Sequence, residues 1–421
     1  MNSEPQKKHT PHILVIADGR SPTSRSWIAN VQALNFRTSL VSTYPCPRPP
    51  GMEHFSILPV AFSRFSGGSS GSRMSENPHG PGPLRRVVRR FAPLLQALRH
   101  RLGPLTVYRY ARPYQKLLKI CQPDLIQALR IPFEGMLGSF TPPGTPFLAA
   151  IWGNDLTLHA AASPLMRRLT RRCLSRADGL TADTLRDAHL ARSWGLAPEA
   201  PTLVLPGSGG LDLAAVQAAR AQDADGLNLP QDGPWVINPR GLRPGSIHQE
   251  TFFAAVPRVL AQRPETIFLC PGLAGRAVVQ TWLERYGGTQ RVFLLPKLPQ
   301  SLLWNLFHRA EIFVSPSSHD GTPNSLLEAL ACGCFPVVGD IPSLQEWITQ
   351  GENGYLVNPR DPNALAEAIL AALDAEDLRR RAAEQNLAAI RERAAQQTTR
   401  PTIEAFYRTF LTANGWTAFD E

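Results

Sequence analysis

Between Ser315 and Glu328 the chain reads SPSSHDGTPNSLLE, a polar turn between an apolar run and a leucine-rich segment. Within it, Asp320-Gly321-Thr322-Pro323-Asn324 has the composition of a strand-to-helix turn. Gly321 permits a close backbone approach, Thr322 can cap a helix, and Pro323 suits the first helical position, where its missing N–H is no loss. The N–H groups of Asn324, Ser325 and Leu326 would then point out of the helix start, which makes a site for an anion. Glu328 follows about one turn later, where a carboxylate can bond a ribose diol beside a bound diphosphate. Taken alone, the turn fits a plain helix cap with a surface glutamate equally well.

The surrounding pattern predicts what positions this turn. Short apolar runs alternate with amphipathic helical segments in both halves of the chain. In the first half the runs are His12–Ala17, Thr38–Thr43, Leu125–Leu129, Pro146–Trp152 and Thr202–Leu205. In the second they are Trp235–Asn238, Thr266–Cys270, Arg291–Leu295, Glu311–Ser315, Phe335–Val338 and Gly354–Val357. That rhythm predicts an α/β fold, with parallel sheets covered on both faces. The reading is an N-terminal Rossmann-like domain over 1–212, a linker over 213–234 and a second such domain over 235–395, facing the first. A helical tail over 396–421 could cross back to the first domain. Residues 45–83 are rich in Pro, Gly and Ser, and Ser66–Gly82 reads as a mobile loop. Ligands of open α/β sheets sit at the carboxyl ends of strands, which is where the turn at Asp320 falls.

The segment Ser315–Val357 resembles the signature of glycosyltransferase family 4, of GT-B fold. The matching residues are Asp320-Gly321, Glu328-Ala329, Gly333-Cys334-Phe335-Pro336-Val337-Val338, Glu346 and Asn353-Gly354-Tyr355-Leu356-Val357. The likeness is good over 235–375 and loose over 12–212. It implies two Rossmann-like domains facing across a cleft and transfer of a sugar from a nucleoside-diphosphate donor to an acceptor hydroxyl with retention. It also implies cell-surface polysaccharide or glycolipid synthesis and no cofactor or metal. In the family the first acid, here Asp320, contacts the donor sugar, and the second, Glu328, contacts the ribose. Asp320 is one methylene shorter than the family's usual Glu. Asn238-Pro239-Arg240-Gly241-Leu242 resembles the family's G-R-L turn, whose Arg neutralises the departing diphosphate. The family's lysine five positions on is Gly245 here, and Arg243 or His248 are the candidate substitutes. Leu298, in Pro296-Lys297-Leu298-Pro299, stands in the family's base-contacting loop.

In the first half, Trp152-Gly153-Asn154-Asp155 resembles the family's H-G-x-D turn, with Trp152 in place of His. Asp155 could bond the acceptor, act as a base, or cap the helix that follows. Gly19 and Arg20, in the loop after the first apolar run, occupy the family's place near diphosphate and acceptor. Gln127 replaces a His and cannot titrate. Two readings of other kinds stay open: a nucleotide-sugar-binding partner without catalysis, and a nucleotide-sugar epimerase of the same fold. No G-x-G-x-x-G follows His12–Ala17, which argues against a dinucleotide-dependent dehydrogenase.

Composition narrows the classes further. A 421-residue chain with 43% hydrophobic and 19% charged residues is neither disordered nor collagen-like. Nothing approaches the ~18–20 apolar residues of a spanning helix. The start, MNSEPQKKHTPH, has no signal-like apolar region, and six sparse cysteines at no zinc-ligand spacing suggest a reducing cytoplasm. Residues 1–210 hold 26 Lys/Arg against 11 Asp/Glu, or +15. Residues 211–421 hold 18 against 23, or −5, and the sum is the chain's +10. The stretch Leu84–Lys119 holds ten cations, from Arg85 to Lys119, and no acid, with Leu94, Leu95, Leu98 and Leu102 interleaved. It reads as a solvated basic face or as a surface for anionic lipid at the inner membrane face. Nucleic acid is not expected, since no recognised binding motif accompanies the charge. The expected partners are a nucleotide sugar and a lipid-linked or saccharide acceptor.

Overall fold

The computed structural model describes residues 10–65, 92–222, 225–287 and 289–416, and the chain forms two compact units. The first is Met1–Gly209 with Arg400–Glu421, and the second is Gly210–Thr399. The segment Ser66–Gly82 and the cations Arg85, Arg86, Arg89 and Arg90 lie outside the described residues.

The first unit is built on β1 His12–Ala17, β2 Arg37–Ser42, β3 Phe55–Ile57, β4 Leu125–Ala128, β5 Phe147–Ile151, β6 Gly179–Ala182 and β7 Thr202–Val204. All are parallel, in the order β3-β2-β1-β4-β5-β6-β7. Ile13, Leu14, Val15, Ile16 and Ala17 are all fully buried, as a strand covered on both faces requires. The order reverses between β1 and β4, which opens a crevice at their carboxyl ends. Ser21 caps the helix after β1, accepting from Ser24 N (3.4 Å), and Pro22 takes its first turn. β3 lies inside the region read from sequence as loop. Three residues flanked by Pro and Gly leave no alternation to find.

The second unit has β8 Trp235–Ile237, β9 Ile267–Pro271, β10 Val292–Leu295, β11 Ile312–Ser315, β12 Phe335–Gly339 and β13 Tyr355–Val357. They are parallel, in the order β10-β9-β8-β11-β12-β13, and this sheet reverses between β8 and β11. Gly339 ends β12 where a Cβ would sit 2.0 Å from the carbonyl oxygen of Ser317, so only glycine lets the strand pass the site loop.

One expectation is corrected. Residues 213–234 are not a free linker. Helix Leu213–Ala218 is capped by Asp212 and buries Val216, and Asn305 donates to the carbonyls of Ala219 and Arg220. After β12 only a short helical turn forms, over Pro342–Gln345. The tail helix Gln396–Thr412 is separate from helix Glu376–Arg393, because the backbone at 394–396 bonds Leu211 (Leu211 N to Ala394 O, 2.7 Å; Gln396 N to Leu211 O, 2.9 Å).

From Arg400 onward the chain belongs to the first unit. Ile403, Tyr407 and Leu411 are fully buried in one core with Trp27, Ile28 and Val31. Trp27 Nε1 donates to Tyr407 Oη (3.1 Å), and a Cβ on Gly179 would meet the Phe410 ring at 2.3 Å. Among the described residues no helix is long and apolar enough to cross a membrane. Tyr407→Phe should cost about 1–3 kcal/mol by stranding a buried indole N–H. Tyr407→Ala should cost about 3–5 kcal/mol through the cavity as well. Denaturant titration should rank the two variants in that order.

Candidate active site

The loops after β8 and β11 meet at the switch point of the second sheet. Arg240 leaves β8 and is 5% exposed. Its Nη2 pairs with Asp320 Oδ2, and its Nη1 donates to Ser325 Oγ (2.8 Å). Its loop is held from behind. Asn238 Oδ1 accepts from Arg240 N (3.2 Å), and Gln249 Nε2 donates to the carbonyls of Arg240 (2.9 Å) and Gly241 (3.1 Å). Asn238 and Gln249 bond each other (2.7 Å), so a buried amide pair sets the guanidinium. Sequence reading missed Gln249, which had only its place at the start of helix Gln249–Gln262 as a signal.

Helix Asn324–Cys332 opens at this guanidinium. Three details differ from expectation. Pro323 is the N-cap residue, with extended backbone, and not the first helical residue. Thr322 Oγ1 accepts from the Trp347 indole (3.0 Å), which fixes the loop from the core side. The Leu326 N–H is not presented, because it donates to Pro323 O (2.9 Å). Asn324 and Ser325 form the helix mouth, with the partial positive charge of its first turn. Gly321 N donates to Asp320 Oδ1 (3.2 Å), and Ser343 Oγ donates to Asp320 O (2.8 Å). Asp320 is therefore fixed against Arg240, a pairing of two candidate residues that lie 80 positions apart.

Glu328 sits inside the same helix, 9% exposed, and accepts from Gln300 Nε2 (2.9 Å). Burial pushes its carboxyl up to about 7, against the pull of Gln300, the nearby Trp304 indole and the Arg240 charge. One buried donor here, Arg240 Nε, has no acceptor among the described residues. Buried donors without acceptors are uncommon in folded proteins and mark a place for a ligand's oxygens. Leu298 lies just past β10 and packs its side chain on the second unit's core. Arg243 contributes its carbonyl to the turn after Arg240, accepting from Ser246 N (3.1 Å) and Ile247 N (3.0 Å). His248 bonds Ser318 Oγ (2.8 Å), and burial lowers its pKa.

The other expected residues lie at the carboxyl edge of the first sheet, in their own unit. Gly19 N donates to Ser42 Oγ (3.2 Å), and a Cβ there would meet Cys46 Sγ at 2.6 Å. Arg20 forks onto Asp18 (Nε to Oδ1 3.0 Å, Nη2 to Oδ2 3.1 Å) and lies 3.8 Å over the Tyr44 ring. Trp152 packs across Gly207, where a Cβ would meet its ring at 2.8 Å. Asn154 uses its carbonyl to start the turn Asp155–His159.

Asp155 corrects its expected role. It is fully buried, and its carboxylate accepts from Arg130 Nε (2.7 Å), Trp152 N (3.1 Å) and Ile131 N (3.3 Å). With those lone pairs spent, it neither caps the next turn nor faces a substrate; it holds Arg130. Arg130 and its neighbour Glu134 were not picked out from sequence. Burial pushes the Glu134 carboxyl to about 7, and Thr43 Oγ1 donates to it (2.5 Å).

Comparison with known proteins agrees with this geometry. The family Glycosyl transferases group 1 matches residues 228–388, which contain Arg240, Asp320 and Glu328. A D-inositol 3-phosphate glycosyltransferase of Thermobispora bispora is 27% identical over 213 residues, 48% of this chain and 49% of the relative. The chain therefore spans about half the length of the curated relatives it matches. Sucrose-phosphate synthase from Thermosynechococcus elongatus superposes with a TM-score of 0.69 at 18% identity, covering 96% of this chain and all of the other. Anabaena HepE, solved in complex with UDP and glucose, superposes at 0.67 with 15% identity, covering 95% of this chain and all of the other.

The raised pKa of Glu328 has a stability consequence with a definite sign. The folded chain keeps a proton that the unfolded chain releases near 4.5, so Glu328 favours folding below that pH and loses this contribution as pH rises to about 7. Relative to Glu328→Gln, wild type should lose about 3 kcal/mol between pH 4.5 and 7. Denaturant midpoints of the two proteins measured against pH check this. The sequence match and the shared architecture converge: residues 228–388 match the family Glycosyl transferases group 1, in a chain of GT-B fold.

Proposed function

We propose that this protein transfers a sugar from a nucleoside-diphosphate donor to an acceptor hydroxyl, with retention of configuration and without a metal. The observation that carries the reading is the buried Arg240 guanidinium at the mouth of helix Asn324–Cys332, held by Ser325 and Asp320, with an Nε that has no acceptor among the described residues. A departing diphosphate needs its growing charge met by donors already in place. Arg240 and the helix mouth supply them, and Glu328 takes the ribose diol. Asp320 binds the donor sugar and, through its ion pair, aims Arg240.

The acceptor side of the reading rests on the first unit and its charge. Helix Ala92–Cys121 exposes Leu102 (41%), Leu105 (53%) and Tyr108 (42%), with the described cations Arg101, Arg109 and Arg112 among them. Apolar side chains in water beside unopposed cations suit the surface of an anionic membrane. We therefore place the protein at the cytoplasmic face of a membrane, in synthesis of a cell-surface polysaccharide or glycolipid. A non-catalytic binding protein is the second reading. It is favoured by Gly245 in the place of a lysine and by the commitment of Asp320 to Arg240.

The test is release of nucleoside diphosphate from a panel of nucleotide sugars. Arg240→Ala and Glu328→Ala should each lower turnover about 100-fold or more. Unchanged turnover in both would sink the assignment. Tight nucleotide binding without turnover in wild type, across donors and acceptors, would favour the second reading. Vesicle binding should weaken as salt rises, and binding indifferent to salt would remove the membrane from the reading.

A further inference from the structure

At the carboxyl edge of the first sheet, the reversal between β1 and β4 collects three guanidiniums that the donor chemistry does not use. Arg130 follows β4, Arg20 follows β1, and Arg99 comes from helix Ala92–Cys121. They surround Tyr44, which follows β2. Arg20 stacks on its ring at 3.8 Å, and Arg99 Nη2 donates to its hydroxyl. Arg99 also stands 5.1 Å over the ring of Phe133, in the same turn as Arg130.

The backbone is bent to present Arg130. Its φ is 141°, that of Phe133 is 73°, and the turn Ile131–Gly135 leaves helical geometry at Pro132 and Phe133. Positive φ at residues with side chains costs about 1–3 kcal/mol each and persists where the surroundings enforce it. Here the enforcement is Asp155, fully buried, which takes Arg130 Nε and the Ile131 N–H together. That grip uses one edge of the guanidinium. Nη1 and Nη2 bond no acceptor among the described residues, and the side chain is 37% exposed. Arg99 Nε is buried and has no acceptor among the described residues. A forked pair of N–H donors with a second orphan donor nearby matches the oxygens of a phosphoryl group.

The charges fit the same ligand. Asp18 answers Arg20 and Asp155 answers Arg130. Glu134 is the third acid, and burial keeps it largely protonated below about pH 7. Three cations then face two anions, and one positive charge is left for an anion from outside.

We propose that this cluster binds a phosphoryl group carried by the acceptor, with Arg130 as its anchor and Asp155 as the residue that positions Arg130. The proposal rests on the glycosyl-transfer reading for the word acceptor, but the anion site itself does not. The phosphoryl group can belong to a small soluble phosphate ester or to a lipid headgroup.

The test titrates the full chain with inorganic phosphate and with glycerol 3-phosphate, and reads amide exchange over 130–135 together with calorimetry. Arg130→Gln alone strands the buried Asp155 carboxylate, so the Arg130→Gln/Asp155→Asn double variant carries the comparison, and Arg99→Gln adds a variant that leaves the ion pair intact. Wild type should show protection at 130–135. The double variant should bind at least tenfold more weakly, Arg99→Gln should lie between, and Arg130→Lys should recover part of the affinity. Affinity for donor nucleotide should be the same in all of them. Equal phosphate affinity in wild type and the double variant, or no protection at 130–135, overturns the proposal. Loss of nucleotide binding in wild type with the phosphate site intact would fail the glycosyl-transfer reading and leave this site standing. Sedimentation with phosphatidic acid vesicles against phosphatidylcholine vesicles separates the sources. Binding only to the former that depends on Arg130 assigns a lipid headgroup, and binding of the soluble ester alone assigns a free one.

Discussion

A charge taken out of water must be met by a partner within a few ångströms, and both carboxyl edges of this protein are organised by that requirement. At the second sheet, burial of Arg240 is compensated by Asp320 and Ser325. At the first, burial of Asp155 is compensated by Arg130 and two backbone N–H groups. The two sites invert each other. One buries the cation and leaves its acid 13% exposed; the other buries the acid and leaves its cation 37% exposed. The deeper member is fixed by the core, and the shallower one is held at a set angle toward solvent. Glu328 and Glu134 are buried carboxyls with no guanidinium bonded to them among the described residues, and their raised pKa values are the consequence.

Much of the site around Asp320 was legible in the sequence because it is local. Asp320, Gly321, Ser325 and Glu328 lie within nine residues around one strand-to-helix turn, and a turn of that kind has few conformations. The strand pattern was legible because a parallel strand buried on both faces is a continuous apolar run, as at Ile13–Ala17. What escaped was non-local or too short. Arg130 meets Asp155 across 25 positions and a strained turn, and nothing in ALRIPFEG signals a positive φ at an arginine. Thr322 was read as a cap because its type and place allow it, but Trp347, 25 residues on, claims its oxygen. The break between helices Glu376–Arg393 and Gln396–Thr412 depends on a bridge to Leu211 that no helical periodicity reveals.

The basic excess of the first half also divides on inspection. The cluster on helix Pro164–Arg176 is partly structural. Arg176 donates to the carbonyls of Thr141, Pro142 and Thr145 and pairs with Asp178, while Arg172 covers Phe140 and Arg171 covers Trp194. Arg37 is likewise balanced by Glu53. Such cations hold loops to the sheet and are not available to a partner. Arg112, Lys116 and Lys119 differ. They occupy one side of helix Ala92–Cys121 and line a cavity of about 980 Å³ near the amino ends of β2, β4 and β5. Formal charge therefore overstates what the first half can offer to an anion and says little about where.

The return of residues 400–416 to the first unit has a consequence for synthesis. Trp27 and Ile28 are made early, but Tyr407 and Leu411, which complete their core, follow the 190 residues of Gly210–Thr399. At about 5–20 residues per second, that interval is roughly 10–40 s on the ribosome. Through it the nascent first unit holds an open apolar face while the second unit, contiguous in sequence, can close. The order of emergence thus opposes the order of folding, and the half that carries the excess positive charge is the half that must wait.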